Sequence, residues 1–243
     1  MPIGVIVNCL AVVIGGLCGT LAGHKLSEEF KYQLNIVLGL CSIGMGISSV
    51  VLMKNMPAVI FSIVIGTAIG LIIHLGSGVN KGAVLLQKPM NRWMKNQKSH
   101  LPEEEFNALM ITTIVLFCAS GTGIYGCLTA GMTGDSSILI SKSILDLFTA
   151  AIFACQLGLA TSMVAIPQFL VFALLILCSR LVFPLTTENM IADFKACGGF
   201  LMIATGFRIL KLKEFPIADM LPAMVLVMPF SRLWESVILP LIF

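Results

Sequence analysis

The sequence predicts an all-α integral membrane protein of about eight transmembrane helices, with inverted three-helix repeats flanking two central helices. Three observations carry that expectation. Of the 243 residues, 58% are hydrophobic and only 11% charged, and the mean hydropathy is +1.01, too little polar surface to cover a water-soluble globule. The apolar stretches are continuous and not alternating, which selects helices over a β-barrel. The chain also matches itself weakly at an offset of 160 residues.

Composition excludes several classes. The net charge of +3 is spread over loops and makes no nucleic-acid-sized patch, so no nucleic-acid partner is expected. The eight cysteines lie singly in apolar segments, without C-x-x-C or a His at ligand spacing. They read as small buried hydrophobes, and no metal or other cofactor is expected. The opening MPIGVIVNCLAVVIGGLCGTLAG lacks a basic n-region and a small-residue cleavage site, so it reads as the first span and not as a cleaved signal peptide.

The elements follow in order. Span one, 3–23, carries Gly15, Gly16, Gly19 and Gly23, which let another helix approach closely. HKLSEEFK (24–31) is a short loop in which Ser27 can cap span two, 33–53, where Gly39, Gly44 and Gly46 supply a second close-packing face. Asn55 and Pro57 turn the chain into span three, which runs to His74 with Gly66 and Gly70 at GxxxG spacing. Residues 76–104 are a basic connection with Lys81, Lys88, Arg92, Lys95 and Lys98, placed in the cytoplasm by the positive-inside rule. Within it VLLQKPMNRWMK is expected to lie along the bilayer surface with Trp93 at the headgroups. Glu103 to Glu105 favour the first turn of span four, 105–126, which is expected to fray in a glycine cluster. Span five, 136–165, starts after an Asp135 N-cap and ends at Pro167; span six, 168–183, ends at Pro184. The polar turn LTTENMIAD leads to span seven, 194–212, and Pro216 opens a kinked last span. Grouped by this reading, 1–75 is a first three-helix repeat, 105–166 a central polar pair and 167–243 a second repeat. Alternation then puts both termini outside.

At the offset of 160, Asn8 meets Gln168, Ser27-Glu28 meets Thr187-Glu188, Gly39 meets Gly199 and Gly46 meets Gly206. Two spans lie between the copies, so the copies would run in opposite directions. Inverted repeats around a polar centre are an arrangement of secondary transporters.

That centre is GTGIYGCLTAGMTGDSSILISKSILDLFT, residues 121–149. GTGIYG formally fits G-x-G-x-x-G and resembles a potassium-filter run, but it follows an apolar helix and not a strand or pore helix, so neither reading stands. Gly121, Gly123, Gly126 and Gly134 are expected to shape the backbone around the site. Counting from Asp135 at about 1.5 Å per residue puts Lys142 about 10 Å and Asp146 about 16 Å into the layer. Lys142, Asp146, Thr149, Phe153 and Gln156 share one helix face. Two readings stay open: the ion pair simply joins helices, or Asp146 or Asp135 binds a cation or proton on a pathway while Lys142 offsets its charge. Arg208 is a further pathway candidate, Arg232 and Glu235 are expected to pair, and His24, His74 and His100 to be solvated.

The segment 121–150, with Gly134, Asp135, Ser137, Ile138 and Leu139 and then Lys142, Ser143, Leu145 and Asp146, resembles the YdfK/YqgA-like family, DUF554, as does ATGFRIL at Ala204 to Leu210. The resemblance covers essentially the whole chain. It implies a multi-pass protein of the bacterial inner membrane, at times labelled a possible transporter, and supplies neither a substrate nor a functional residue.

The expectation is therefore a plasma-membrane transporter or channel for a small solute or ion, with the bilayer as its surroundings and a homo-oligomer left open. A non-transporting scaffold is the alternative. An intramembrane enzyme is less favoured, since no H-E-x-x-H, G-x-S-x-G or cleanly spaced Ser/Lys dyad is present and no catalytic residue is named.

Overall fold

The structure, a computed structural model, describes residues 3–22, 25–93 and 102–242. They form α1 (Ile3–Ala22), α2 (Glu28–Val50), α3 (Met56–Ile72), α4 (Leu75–Trp93), α5 (Glu103–Cys118), α6 (Gly121–Thr133) and α7 (Ser137–Leu157). A single turn, α8 (Ala160–Met163), leads to α9 (Ala165–Val182), α10 (Glu188–Ile209) and α11 (Leu221–Leu233). A π-helical stretch, Trp234–Ile238, connects to the closing turn α12 (Leu239–Ile242). Among the described residues seven helical stretches are long and apolar enough to cross a bilayer, and α3 with α4, bent by 61°, makes an eighth. The fold is an all-α membrane fold.

Local chemistry sets the helix ends. Ser27 and Thr187 are N-caps of α2 and α10, their hydroxyls accepting from the amides of Phe30 (3.2 Å) and Met190 (3.3 Å). Glu103, Glu104 and Glu105 occupy the first turn of α5, where the helix dipole favours them. His24, Lys95, Lys98 and His100 lie outside the described residues, while His74 is exposed at the α3–α4 bend with φ 53°.

Three boundaries differ from the sequence expectation. The fourth span breaks before its glycine cluster and not within it: Ser120 caps a new helix, its Oγ accepting from the Gly123 amide at 3.2 Å, and α6 carries GTGIYG as ordinary helix. That helix ends at Gly134, whose φ of 76° is a left-handed position open to glycine at little cost. The fifth span stops at Gly158 (φ 60°), not at Pro167. Pro167 sits in the first turn of α9, where its missing N–H would have no helical partner. The amphipathic piece after span three is longer than expected, starting at Leu75 and lying against α5, with Gln87 Nε2 donating to Asn107 Oδ1 at 2.7 Å.

Small residues decide which helices meet. α2 and α10 cross antiparallel: a Cβ on Gly46 would stand 2.7 Å from the Gly199 carbonyl oxygen, and one on Gly39 would stand 3.1 Å from that of Gly206. At the crossing Ser42 Oγ donates to the Met202 carbonyl at 3.0 Å. Gly44, expected on the same face, has nothing within 4 Å of such a Cβ. α3 and α11 also run antiparallel, with Gly66 against Ala223, Gly70 against Asp219, and Phe61 and Phe230 ring to ring at 5.0 Å. α1 lies parallel along α7, where Gly15 and Gly19 rest on the carbonyls of Leu147 and Ala151. These close approaches bring the polar positions of α1, α7 and α9 together.

Candidate functional site: a buried ion pair beside a broken helix

α7 is 21 residues long and Asp146 is its tenth, so its carboxylate starts from the middle of the span. Lys142 lies one turn earlier on the same face, and its Nζ donates to Asp146 Oδ2. The pair is buried, Lys142 being 3% and Asp146 6% exposed. The Lys142 ammonium also lies over the rings of Phe117 (5.7 Å) and Phe172 (6.0 Å), a cation–π arrangement in a dry setting.

Two residues not named as site candidates complete the cluster. Asn8, on the glycine face of α1, donates from Nδ2 to Asp146 Oδ2 at 2.8 Å. Gln168, on α9, donates from Nε2 to Asn8 Oδ1 at 2.6 Å and, more weakly, to Asp146 Oδ2 at 3.4 Å. Both are fully buried. They are the pair aligned at the 160-residue offset, and their polarity inside apolar spans is the signal that could have found them. All described donors converge on Oδ2, leaving the other carboxylate oxygen without a hydrogen bond among the described residues. Gln168 Oε1 is buried with no hydrogen-bond partner among the described residues.

Next to the pair lies a small cleft of about 20 Å³, room for one water or one bare ion. Ser42, Ser120, Thr122, Thr149 and Thr205 bring hydroxyls to it, alongside Lys142 and Asp146. Ser120, one of the lining residues, stands at the α5–α6 break, so the capped start of α6 borders the cleft. A larger open groove of about 290 Å³ at the ends of α2 and α10 is lined by Lys54, Glu188 and Lys195, and does not reach Asp146.

Lys142, Asp146 and Thr149 therefore converge, and Gly123 lies beside them, a Cβ there standing 3.0 Å from Lys142 Cε, whereas Gly121 packs against Leu201 of α10. Gly126 packs on Leu139 and shapes the α6–α7 contact. Three candidates are not brought in. Asp135 is exposed at the start of α7, bonded to the Ser137 amide (2.9 Å) and hydroxyl (2.6 Å), and these bonds hold its carboxyl below the ordinary carboxylate range. The N-cap position itself falls to Ser136, which makes no side-chain cap. Gln156 stays on the same side of α7 as Thr149 but is exposed, in the last turn of the helix before Gly158 ends it. Arg208 is half-buried in the last turn of α10, where a cation suits the helix dipole. Glu235 does not pair with Arg232 among the described residues; it accepts from Asn55 Nδ2 (3.0 Å) and Asn189 Nδ2 (2.6 Å).

Over residues 3–232 the chain matches the family described as protein of unknown function DUF554. It belongs to that family. Among its relatives, uncharacterized protein YqgA of Escherichia coli is 45% identical over 236 residues, covering 97% of this chain and 99% of that one. The uncharacterized membrane protein YdfK of Bacillus subtilis is 24% identical over 229 residues, covering 92% and 93%. No solved structure matches the chain. The DUF554 match runs through every residue of the ion-pair cluster, from Asn8 to Gln168.

Proposed function

We propose that this DUF554 protein is a transporter or channel of the bacterial plasma membrane that passes a small solute or ion at the Lys142–Asp146 centre. The observation that carries the reading is a lysine–aspartate pair in mid-span, bordered by a cleft lined with serines and threonines and by a broken helix, with a buried amide oxygen left unpartnered among the described residues. Ionisable groups at that depth are costly and cluster on ion and substrate pathways. Helical spans support a plasma membrane, because outer-membrane proteins are built as barrels.

The architecture supports the same reading. α2 and α10 begin 160 residues apart, are capped at equivalent positions by Ser27 and Thr187, and cross antiparallel. α3 and α11, also equivalent at that offset, are antiparallel too. Two bonds join residues 160 apart, Asn8 to Gln168 and Ser42 to Met202, and the ion-pair site lies between them. We read this as an inverted repeat whose pseudo-two-fold axis passes through the site, the placement expected of alternating-access transporters.

The test is flux into liposomes reconstituted with the purified protein, over a panel of inorganic ions and small metabolites, for wild type and Asp146→Asn. The expected outcome is flux of at least one solute, normalised to folded reconstituted protein, that the variant loses. Flux unchanged by the substitution removes Asp146 from the mechanism. A scaffold is the second reading, favoured by the dryness of the pair. It expects no flux from the panel, and loss of assembly in Asp146→Asn.

A further inference from the structure

We infer that the cleft is a site for one small monovalent cation, of the sodium or lithium class, which competes with the Lys142 ammonium for the Asp146 carboxylate. The inference deepens the transport reading and rests on it for its purpose, but binding is measurable without flux.

Size comes first. A space of about 20 Å³ admits a bare ion or a single water and excludes a metabolite. Charge comes second: one carboxylate faces the space, and the charge it now holds is a single tethered ammonium. A monovalent ion adds one positive charge beside the displaced Lys142 ammonium, and a divalent ion would add two in a buried setting where each uncompensated charge is costly.

The donor set decides the sign. Ser42 Oγ gives its hydrogen to the Met202 carbonyl (3.0 Å) and Thr205 Oγ1 gives its own to Leu201 (2.8 Å). At both residues, lone pairs and not hydrogens remain for the cleft. Neutral oxygens with one carboxylate are the ligands of hard cations. Ser120, Thr122 and Thr149 have no described acceptor for their hydroxyl hydrogens, so it is the Asp146 carboxylate bordering the space that disfavours an anion there. Outside the cleft's lining, Gln168 Oε1 is buried without a hydrogen-bond partner among the described residues, so the network around Asp146 is not saturated. The displaced ammonium retains the rings of Phe117 and Phe172.

The experiment is thermal unfolding of the purified full-length protein in chloride salts of sodium, lithium, potassium and choline, and in sodium gluconate. Wild type is expected to rise in midpoint with sodium or lithium, not with choline, and to ignore the exchange of chloride for gluconate. Lys142→Met removes the competitor and is expected to bind the ion about tenfold more tightly, the scale of one charge-assisted contact. Asp146→Asn is expected to lose the response. The opposite signs separate this from a purely structural ion pair, which gives two destabilised variants and no cation dependence. Thr149→Val leaves the ion pair intact and is expected to weaken the response severalfold, which keeps the test open if Lys142→Met fails to fold.

A response that follows the anion, one equal for choline and sodium, or no response in wild type and Lys142→Met overturns the inference, as does an unchanged response in Thr149→Val. Cation binding without flux overturns the transport reading and leaves the site standing. Flux of another solute without cation binding does the reverse.

Discussion

Asp146 and Asp193 are both buried carboxylates in apolar helices, yet they are completed in opposite ways. Asp193, on α10 and 0% exposed, has each oxygen satisfied. Oδ1 accepts from the backbone amides of Lys54 and Asn55, both at 2.8 Å, and Oδ2 accepts from Asn55 Nδ2 (2.9 Å) and Ser231 Oγ (2.6 Å). Two of those donors are backbone amides at the start of α3, so the carboxylate caps one helix from another while binding a third. Asp146 has three donors crowded on one oxygen, none described on the other, an orphan amide oxygen behind it and a cleft in front. A saturated network is a joint, even with the groove lined by Lys54 and Lys195 close by. An incomplete one next to space has capacity left for a ligand, and the functional proposal rests on that contrast.

The contrast can be broken most directly at the joint. Asp193→Ala strips four donors of their acceptor and is expected to cost on the order of 4 kcal/mol, with loss of purified yield and midpoint. No salt or added ion should restore it. If stability were hardly changed, saturation would not mark a structural role.

The ion pair should behave differently. Removing either partner alone is expected to cost about 3 kcal/mol by leaving a buried charge uncompensated, whereas Lys142→Met with Asp146→Asn together should be close to neutral. The same double variant should have no flux. A double variant as unstable as the sum of the singles would make the pair another joint.

A smaller effect tests whether the crossing of α2 and α10 beneath the cleft holds it in shape. Gly46→Ala forces a Cβ to 2.7 Å from the Gly199 carbonyl oxygen and should cost about 1–3 kcal/mol. Gly44→Ala, with open space, should be neutral or stabilise by about 0.5–1 kcal/mol. Equal midpoints for the two would argue against a tight crossing.

The smallest effect belongs to the third carboxylate, Asp135. Its pKa is lowered, first by the Ser137 hydroxyl and then by the Ser137 amide, so the ionised form favours the fold. That stability is present above the ordinary value of 3.8 and is lost as pH falls through the lowered one. Because the group is exposed, Asp135→Ala should cost only a few tenths of a kcal/mol and leave flux unchanged. A flux defect would restore Asp135 to the pathway.

The helix count, the depth of Asp146 and the Lys142–Asp146 spacing follow from the sequence alone, because hydropathy and the 3.6-residue period act locally. The Ser27 cap was readable for the same reason, while Thr187 was aligned with it at the 160-residue offset without being read as a helix start. Asp193 was not readable: it stands at the end of a polar run that reads as a turn, and only the Thr187 cap, starting α10 at Glu188, draws it into helix. The break at Ser120 was hidden because glycines read as breakers wherever they fall, whereas here Ser120 caps the helix that the glycines begin.

By itself the sequence determined that this is a helical membrane protein with charge sunk in its middle, since burying an ionisable group in a span is a property of that span. Only the tertiary structure decided which carboxylate is complete and which is not. Partners come from helices far apart in the chain, and hydrogen-bond saturation depends on how closely their small-residue faces meet.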